Sequence, residues 1–165
     1  MSTTELNIRP ATPADWPAIW DILRPIFRAG ETYAVDRDIS EDDARRYWVE
    51  TAQATYVATD NGQVLGTYYI RPNQQGGGAH VCNCGFAVAE AARGRGVARA
   101  CAVHGQCMAR ASGFRAMQFN FVLASNRGAL ALWPSLGFEI VGTIPDAFDH
   151  PALGFVAAHV MHKAL

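Results

Sequence analysis

The sequence predicts an α/β (α+β) fold in which one sheet is flanked by four helices. Strand-like and helix-like segments follow one another in the order β-α-α-β-β-β-α-β-α-β-β. Two turns support this order. Residues 60–63 (Asp-Asn-Gly-Gln) give a strong hairpin signal, and the glycine-rich residues 93–98 join a strand-like run to a helix-like one. No repeat, linker or low-complexity tract interrupts the 165 residues, so we expect one domain spanning residues 1–165.

The first third of the chain is predicted to form a short strand followed by two helices. Residues 6–9 are the predicted strand, and Thr12 and Pro13 then start a helix that Gly30 ends. Apolar residues recur in this helix at helical spacing and predict a buried stripe: Trp16, Ile19, Trp20, Leu23 and Phe27. Ser40, followed by three acidic residues, caps a second predicted helix that extends to about residue 51.

The rest of the chain is predicted to combine six strands with two helices. The predicted strands are residues 54–59, 64–71, 79–88, 117–123, 139–144 and 154–163, and the predicted helices are residues 100–111 and 129–136. Three glycines at residues 76–78 predict a flexible loop. In the fifth strand, alternate residues are apolar and predict one buried face: Met117, Phe119, Phe121 and Leu123.

Composition and charge exclude several classes of protein. Half of the residues are hydrophobic and the formal net charge is −1, which argues against disorder and against general attraction to nucleic acid or anionic membranes. No apolar run is long enough to span a membrane, and residues 1–10 lack the pattern of a signal peptide. The four cysteines lack the spacing of a metal site or a disulfide framework. We therefore expect a cytoplasmic protein with no metal, no disulfide and no nucleic-acid or membrane partner.

The turn at residues 93–98 predicts an anion-binding site. Its sequence is Arg-Gly-Arg-Gly-Val-Ala, and a helix-like segment follows it. The first N–H groups of a helix lack intrahelical partners, and the helix dipole places partial positive charge beside them. Glycine lets the backbone approach a phosphate closely, and Arg93 and Arg95 add charged donors. Because the whole chain has almost no net charge, this local site favours a small phosphorylated ligand.

Two motifs resemble the signature of the Gcn5-related N-acetyltransferase (GNAT) superfamily. Arg93, Gly96 and Ala98 match the Arg/Gln-x-x-Gly-x-Gly/Ala loop that holds the pyrophosphate of acetyl-CoA in that family. Residues further along the chain match its second motif, Asn-x-x-Ala followed by a helix and Gly-Phe: Asn126, Ala129, Gly137 and Phe138. The resemblance implies a GNAT-like domain whose mixed, mostly antiparallel sheet has six to seven strands and in which strands 4 and 5 splay apart. It also implies acetyl-CoA as cosubstrate, a small-molecule amine as acceptor, no metal and, as in many relatives, a homodimer.

The resemblance also assigns cofactor-binding residues. The main chain at Phe86, Ala87 and Val88 would hold the pantetheine arm, and the N–H of Val88 would stabilise the oxyanion. The other residues implied in this way are Arg93, Gly94, Arg95, Gly96, Val97, Ala98, Asn126, Ala129, Leu130 and Trp133. Many relatives carry, at the position of Trp133, a Tyr that protonates the departing thiolate. Indole has no accessible acidity, so the identity of that acid stays open here.

Within the family, the chain is similar to the fungal acetyltransferases of L-azetidine-2-carboxylate and related proline analogues. The similarity lies in the run from Leu132 to Phe148. It implies that Asn83 and Asn120, on the two splayed strands, bind and orient the acceptor during catalysis, and that Asn126 helps to hold the cofactor. A physical argument points to the same two amides, because each interrupts an apolar strand. A buried amide without partners costs about 1 to 3 kcal/mol, so each is paired within the fold or faces a wet cleft.

The acceptor amine must lose a proton before it attacks. An aliphatic amine with a pKa of ~10.4 reaches its free-base form at pH 7 at a cost of about 4.6 kcal/mol, so we expect a base. Glu31 and Asp36, between the first two helices, are candidates, and His80 is a weaker one. Tyr33, in the same loop as Glu31, and Phe148, beyond the sixth strand, are predicted to complete the acceptor pocket.

The sequence therefore predicts an acetyl-CoA-dependent N-acetyltransferase that transfers acetyl directly to the amine of a small amino or imino acid. Two alternatives stay open. In the first, the acceptor is a protein N-terminus or an amine antibiotic. In the second, the chain is a non-catalytic acyl-CoA-binding module, an alternative that the absence of Tyr at position 133 keeps open.

Overall fold

The computed structural model of the chain describes residues 6–165. Its strands are β1 (Asn7–Pro10), β2 (Ala54–Asp60), β3 (Gln63–Pro72), β4 (Val81–Val88), β5 (Ala116–Leu123), β6 (Glu139–His150) and β7 (Gly154–Ala164). Its α-helices are α1 (Trp16–Ala29), α2 (Glu41–Arg45), α3 (Val97–Ala111) and α4 (Arg127–Ser135). The short 3₁₀ turns are Pro13–Asp15, Gly76–Gly78 and Glu90–Ala92.

The seven strands form one sheet in the order β1-β2-β3-β4-β5-β7-β6. All neighbouring strands are antiparallel except β4 and β5, which are parallel. These two strands pair only at Val81 with Ala116 and at Cys82 with Met117, and they part beyond those residues. The structure thus confirms the predicted mixed, mostly antiparallel sheet with splayed fourth and fifth strands and four flanking helices.

A hydrophobic core covers each face of the sheet. On one face, α1 and α2 bury a core that includes Leu23, Phe27, Trp48 and Tyr69. On the other face, α3 and α4 bury a larger core that includes Tyr68, Cys101, Phe119, Trp133 and Phe138. Since successive residues of a strand face opposite sides, β4 contributes to both cores and holds the two layers in register.

The helix signals of the first third are largely confirmed. The predicted stripe of α1 is buried, and Gly30 ends the helix at a φ of 65°, a left-handed conformation that favours glycine. Ser40 caps α2, because its Oγ accepts a hydrogen bond from the N–H of Asp43 at 3.1 Å. The single helix predicted to about residue 51 is instead α2 followed by a π-helical turn, Arg46–Glu50.

Two strands depart from the predicted pattern because of their pairing with β7. The sixth strand was predicted to end at residue 144, but β6 continues to His150 through an irregular stretch between Ile144 and Phe148, where Asp146 has a φ of 47°. The predicted alternation of β5 is broken between Phe119 and Val122, where the register with β7 shifts. Consequently Val122 is buried in place of Phe121. The predicted loop at residues 76–78 is a 3₁₀ turn.

Three cysteines are buried in the structure and one is exposed. Cys82, Cys84 and Cys101 lie in the interior, whereas Cys107 lies on the surface of α3, and all four are free thiols. None of the helices in residues 6–165 combines the length and the apolar character that a membrane span needs.

Asp15 joins β1 to the start of α1. Its carboxylate accepts two hydrogen bonds from the Arg9 guanidinium, at 2.7 and 2.8 Å, and one from the N–H of Thr12 at 2.7 Å. The hydrogen bonds from Arg9 are the main reason why the pKa of Asp15 lies well below its ordinary range. The charged form of this largely buried carboxylate is therefore favoured in the folded state.

We expect Asp15→Asn to lower the free energy of unfolding at pH 7 by about 1 to 3 kcal/mol, because the variant loses a charge-assisted pair. The pKa of Asp15 is lower in the folded than in the unfolded chain, so the stabilisation is complete above about pH 5 and is lost as the pH falls toward the folded-state pKa. Urea denaturation should therefore show a smaller difference between wild type and variant at pH 3 than at pH 7.

The matched control is Glu50→Gln, which breaks the exposed pair of Arg45 and Glu50 at 3.1 Å. We expect a change of about 0.5 kcal/mol or less for this variant, since water and salt screen an exposed ion pair. An Asp15→Asn effect that is no larger than the control, or that does not change between pH 7 and pH 3, contradicts the assignment.

Candidate active site

A cavity of about 700 Å³ lies where β4 and β5 part. Its walls are the loop between α1 and α2, the second half of β4, the second half of β5, the start of α4 and the end of β6. This volume is in the range of pockets that enclose a small ligand. The divergence of two central strands thus opens the sheet to a ligand.

The main chain of β4 presents alternate residues to this cavity. The carbonyl of Val81 accepts from the N–H of Asn73 in the β3–β4 connection, and the N–H of Ala89 donates to the carbonyl of Leu65 in β3. Because N–H and C=O groups alternate sides along an antiparallel strand, odd-numbered residues of β4 face β3. The main-chain groups of Phe86 and Val88 therefore face the gap, whereas those of Ala87 pair with β3 and only its side chain lines the cavity.

Tyr33 covers one of the main-chain groups that face the gap. It reaches from the loop after α1, and its hydroxyl donates a hydrogen bond to the carbonyl of Phe86 at 2.6 Å. Burial raises the pKa of Tyr33 above its ordinary value, so the phenol stays protonated and acts as a donor. Tyr33 lies at the cavity as predicted, and this contact fixes the α1–α2 loop against β4.

Asn83 bridges the two strands immediately beyond their last paired residues. Its Nδ2 donates to the carbonyl of Gln118 in β5 at 3.0 Å, and its Oδ1 accepts a hydrogen bond from the hydroxyl of Tyr69 at 3.4 Å. The side chain thereby replaces a main-chain bond that the divergence of β4 and β5 removes. Asn83 also lines the cavity, so the amide predicted to bind the acceptor is already partnered within the fold.

Asn120 is exposed and belongs to a polar group on the edge of the cavity. Its Oδ1 accepts from Nε2 of Gln118 at 2.9 Å, and its Nδ2 donates to Oδ1 of Asn73 at 2.6 Å. Asn120 lies in the irregular stretch of β5, where it lines the cavity. The structure thus brings both predicted asparagines to one cavity, one as a bridge between strands and one near the opening.

Gly85 lets the Tyr69 ring lie against β4. A Cβ at Gly85 would lie 2.4 Å from Cε1 of Tyr69, so no other residue fits there without a shift of the ring. The Tyr69 hydroxyl then reaches Asn83. The sequence analysis assigned neither Gly85 nor Tyr69 to the site. An isolated glycine inside a strand pattern nevertheless signals that another group approaches the backbone closely.

The glycine-rich turn has the open geometry that an anion site needs. Gly94 and Gly96 have φ values of 75° and 78°, and a Cβ at either would meet no atom within 4 Å. Gly96 begins α3 without a side-chain cap, so the first N–H groups of the helix are free of side-chain partners. The exposed Arg93 lines the cavity, whereas the Arg95 guanidinium binds Asp60 at 3.0 Å.

The start of α4 forms another wall. Asn126 caps this helix, since its Oδ1 accepts from the N–H of Ala129 at 3.1 Å, and both residues line the cavity. Trp133 is 8% exposed and packs its ring 4.5 Å from that of Phe119 and 5.2 Å from that of Phe86, measured between centroids. Leu130, predicted to contact the cofactor, packs against the core beneath α4 and does not line the cavity.

The structure distinguishes the three candidate bases by position. Glu31 lines the cavity and is the single carboxylate among its described lining residues. Asp36 lies outside the cavity, where its Oδ1 accepts from the N–H of Asp38 at 3.3 Å. His80 is exposed before β4 and also lies outside.

Phe148 does not line the cavity, in contrast to the prediction. Because β6 continues to His150, Phe148 lies within the strand, and its ring packs 6.3 Å from that of Phe121, which does line the cavity. His150 itself is buried and lines the cavity. The Oγ of Ser125, another lining residue, is buried without a hydrogen-bond partner. Neither residue was assigned a role from the sequence, and the position of His150 depends on how β6 pairs with β7.

These features agree with comparisons to known proteins. A family model described as the acetyltransferase (GNAT) family matches residues 16–138. The chain belongs to the GNAT family. Members of this family use acetyl-CoA as the acetyl donor. Across residues 6–165, no three His, Cys, Asp or Glu side chains are grouped closely enough to hold a metal ion, and the predicted metal-free site stays a prediction.

Relatives extend over most of the chain. A GCN5-related N-acetyltransferase from Kribbella flavida is 48% identical, with a TM-score of 0.93 over 97% of this chain and 98% of that one. A ribosomal-protein-alanine N-acetyltransferase from Brucella melitensis is 26% identical, with a TM-score of 0.83 over 96% and 99% of the two chains. The N-acetyltransferase aca1 of Schizosaccharomyces pombe is 32% identical over 134 residues, which span 72% of this chain and 64% of that relative.

The residues present fit a CoA thioester. The turn before α3 leaves open space at two glycines, the gap exposes main-chain groups of β4, and the Ser125 hydroxyl lacks a partner inside the cavity. A phosphate, an amide-bearing arm and a polar atom would respectively satisfy these groups.

We expect Asn83→Ala to lower the free energy of unfolding by about 1 to 2 kcal/mol, because it leaves the Gln118 carbonyl without its donor where β4 and β5 part. Urea denaturation measures this change. Asn120→Ala is the matched control, since it removes the same group from an exposed position and should cost less than half as much. Equal losses in the two variants would show that Asn83 does not hold the strands together.

Proposed function

We propose that the chain is an acetyl-CoA-dependent N-acetyltransferase that transfers acetyl directly to the amine of a small amino or imino acid. The observation that carries this proposal is the cavity between β4 and β5, which is lined both by Arg93 of the glycine-rich turn and by polar side chains of the α1–α2 loop, β4 and β5. The polar part of this cavity, lined by Tyr33, Asn83 and Asn120, offers hydrogen-bond donors and acceptors that suit the carboxylate and amine of a small amino or imino acid.

In this proposal the turn and β4 hold the donor. The free N–H groups at the start of α3 and the Arg93 guanidinium bind the pyrophosphate. The main-chain groups of Phe86 and Val88 bind the arm that lies in the gap, and the Val88 N–H donates to the oxyanion that develops on the thioester carbonyl. Ser125 adds a hydroxyl donor or acceptor inside the cavity, and Asn126 and Ala129 form its outer wall.

Glu31 is the proposed base. It takes a proton from the acceptor ammonium, directly or through a water molecule, and passes it to solvent, so it provides a path for a deprotonation that costs about 4.6 kcal/mol at pH 7. The amine nitrogen then attacks the thioester carbonyl and forms the C–N bond. The positively charged nitrogen of this adduct loses its proton to water, the C–S bond breaks, and CoA leaves as its thiolate. Asn120 binds the acceptor near the opening, and Asn83 acts by holding the two strands at the separation that the acceptor needs.

Trp133 takes no proton-transfer role in this scheme. Its indole N–H is not acidic near neutral pH. A thiol with a pKa near ~8.5 is a good leaving group at neutral pH, so the thiolate can depart and take its proton from water. The Trp133 ring instead forms an apolar wall beside Phe86 and Phe119.

A second candidate acceptor is a protein N-terminus. The observation that favours it is the 26% identity to a ribosomal-protein-alanine N-acetyltransferase from Brucella melitensis. The third candidate, a non-catalytic acyl-CoA-binding module, would use the same donor site without turnover. The azetidine-2-carboxylate similarity of the run up to Phe148 favours the imino acid over both.

The deciding measurement is release of free CoA from acetyl-CoA, followed with a thiol reagent. We expect kcat/KM for azetidine-2-carboxylate and proline analogues to exceed that for peptides with an N-terminal alanine by at least about tenfold, because the polar part of the cavity suits the carboxylate and amine of a small amino or imino acid. The exposed Cys107 reacts with the reagent, so enzyme without acceptor and a Cys107→Ser variant serve as blanks. Faster turnover of the peptides would support the second candidate, and CoA binding without turnover of any amine would support the third.

The two arginines of the turn provide a matched test of the donor site. Arg93→Ala should raise the Kd for CoA about 10- to 100-fold, because it removes a charge-assisted hydrogen bond that contributes about 1.5 to 3 kcal/mol to binding. Arg95→Ala should raise it less than about threefold, because Arg95 already binds Asp60. Isothermal titration calorimetry with CoA measures both. Equal effects of the two variants would contradict the assignment of Arg93.

A further inference from the structure

His150 is a buried polar residue at a position where burial is unusual. It is the last residue of β6, opposite Gly154 across a tight hairpin, yet it is only 9% exposed. Two residues earlier, Phe148 packs against Phe121, and this contact holds the hairpin end beside the cavity. The His150 ring lines that cavity, and nothing in the proposed acetyl transfer has used it.

The hydrogen bond of His150 fixes its tautomer. The N–H of Ala152 donates to Nδ1 of His150 at 3.1 Å. A main-chain N–H can only donate, so Nδ1 must carry the lone pair. In the neutral imidazole the proton therefore lies on Nε2.

Nε2 of His150 is available to a ligand. Within residues 6–165 the ring makes no other hydrogen bond, and Nε2 is not among the buried atoms that lack a partner. Nε2 therefore keeps some accessible surface, and the residue forms part of the cavity wall. His150 thus presents an N–H donor to the cavity.

This geometry suits a hydrogen-bond donor better than a base. A base needs a lone pair directed at the substrate, and the lone pair of His150 is directed at Ala152. The donor faces a cavity whose single carboxylate is Glu31, among the described lining residues. The two lining arginines, Arg93 and Arg127, are exposed residues beside the starts of α3 and α4. Together with the Ser125 hydroxyl, which the proposed function assigns to the donor side, His150 is therefore a buried donor that an anionic group of the acceptor would meet.

We propose that His150 determines acceptor specificity by donating from Nε2–H to the carboxylate of the amino or imino acid. This inference rests on the proposed function. Glu31 would meet the amine of the acceptor, and His150 the carboxylate of the same molecule. An N–H donor recognises a carboxylate by a charge-assisted hydrogen bond.

The test compares azetidine-2-carboxylate with azetidine-2-carboxamide, which keeps the ring and the amine and lacks the charge. His150→Asn keeps an oxygen that can accept from the Ala152 N–H and removes the donor at the Nε2 position. We expect kcat/KM for the carboxylate to fall about 10- to 100-fold, and that for the carboxamide to change less than about threefold. His150→Gln, whose longer side chain returns an N–H to the Nε2 position, should recover part of the preference.

Three results separate the outcomes. If the wild type acetylates neither compound nor any other amino or imino acid, the proposed function fails, and the role of His150 fails with it. If the wild type is active and His150→Asn lowers kcat/KM equally for both compounds, or for neither, the role of His150 alone is overturned. A two-bond ¹H–¹⁵N spectrum of the wild type, assigned by the signals lost in the variant, gives a check that needs no turnover. The Nε2–H tautomer supports the proposal, and the Nδ1–H tautomer overturns it.

Discussion

The parting of β4 and β5 is the constraint on which the site depends. Parallel strands that diverge after two residue pairs leave main-chain N–H and C=O groups without partners in the middle of a sheet. Each such group costs about 1 to 3 kcal/mol if it stays buried and unpaired. The chain satisfies two of them with side chains, the Gln118 carbonyl through Asn83 and the Phe86 carbonyl through Tyr33. The remaining groups face the cavity. There they can form with a ligand the hydrogen bonds that a neighbouring strand would otherwise form.

The two helical layers give the two ends of this gap different chemistry. The layer of α3 and α4 brings the helix N-termini, Arg93 and Arg127 to one side, where partial and full positive charges suit phosphates. The α1–α2 loop brings Glu31, and the end of β6 brings His150. In the proposed function, the positive charges favour the negatively charged donor tail and Glu31 favours the amine acceptor.

The sequence predicted those parts that short-range signals determine. The cap of α2, the hairpin after Asp60 and the glycine turn before α3 each depend on a few adjacent residues, and all are present. The predicted helix start at Thr12 is instead a 3₁₀ turn that leads into α1 at Trp16. The parts that depend on pairing with β7 were missed. Phe148 was predicted to line the pocket and His150 was not assigned, because neither the length of β6 nor its irregular stretch can be derived from local alternation. Asn83 was located correctly, but its partner Gln118 lies on another strand and has no local signal.

Trp133 shows how packing and chemistry are linked at the same point. Its ring contacts those of Phe86, Phe119 and Phe138, so it joins β4 and β5 through apolar contacts on the face opposite the asparagines. Close packing holds this large ring in a single position, so it can form a rigid apolar wall of the cavity but does not serve as a proton donor. If no side chain supplies the thiolate with a proton, the rate of transfer depends on how easily the amine loses its own. Under the proposed function, catalysis then depends on Glu31 and on the separation of the two strands, which Asn83 maintains from the other face.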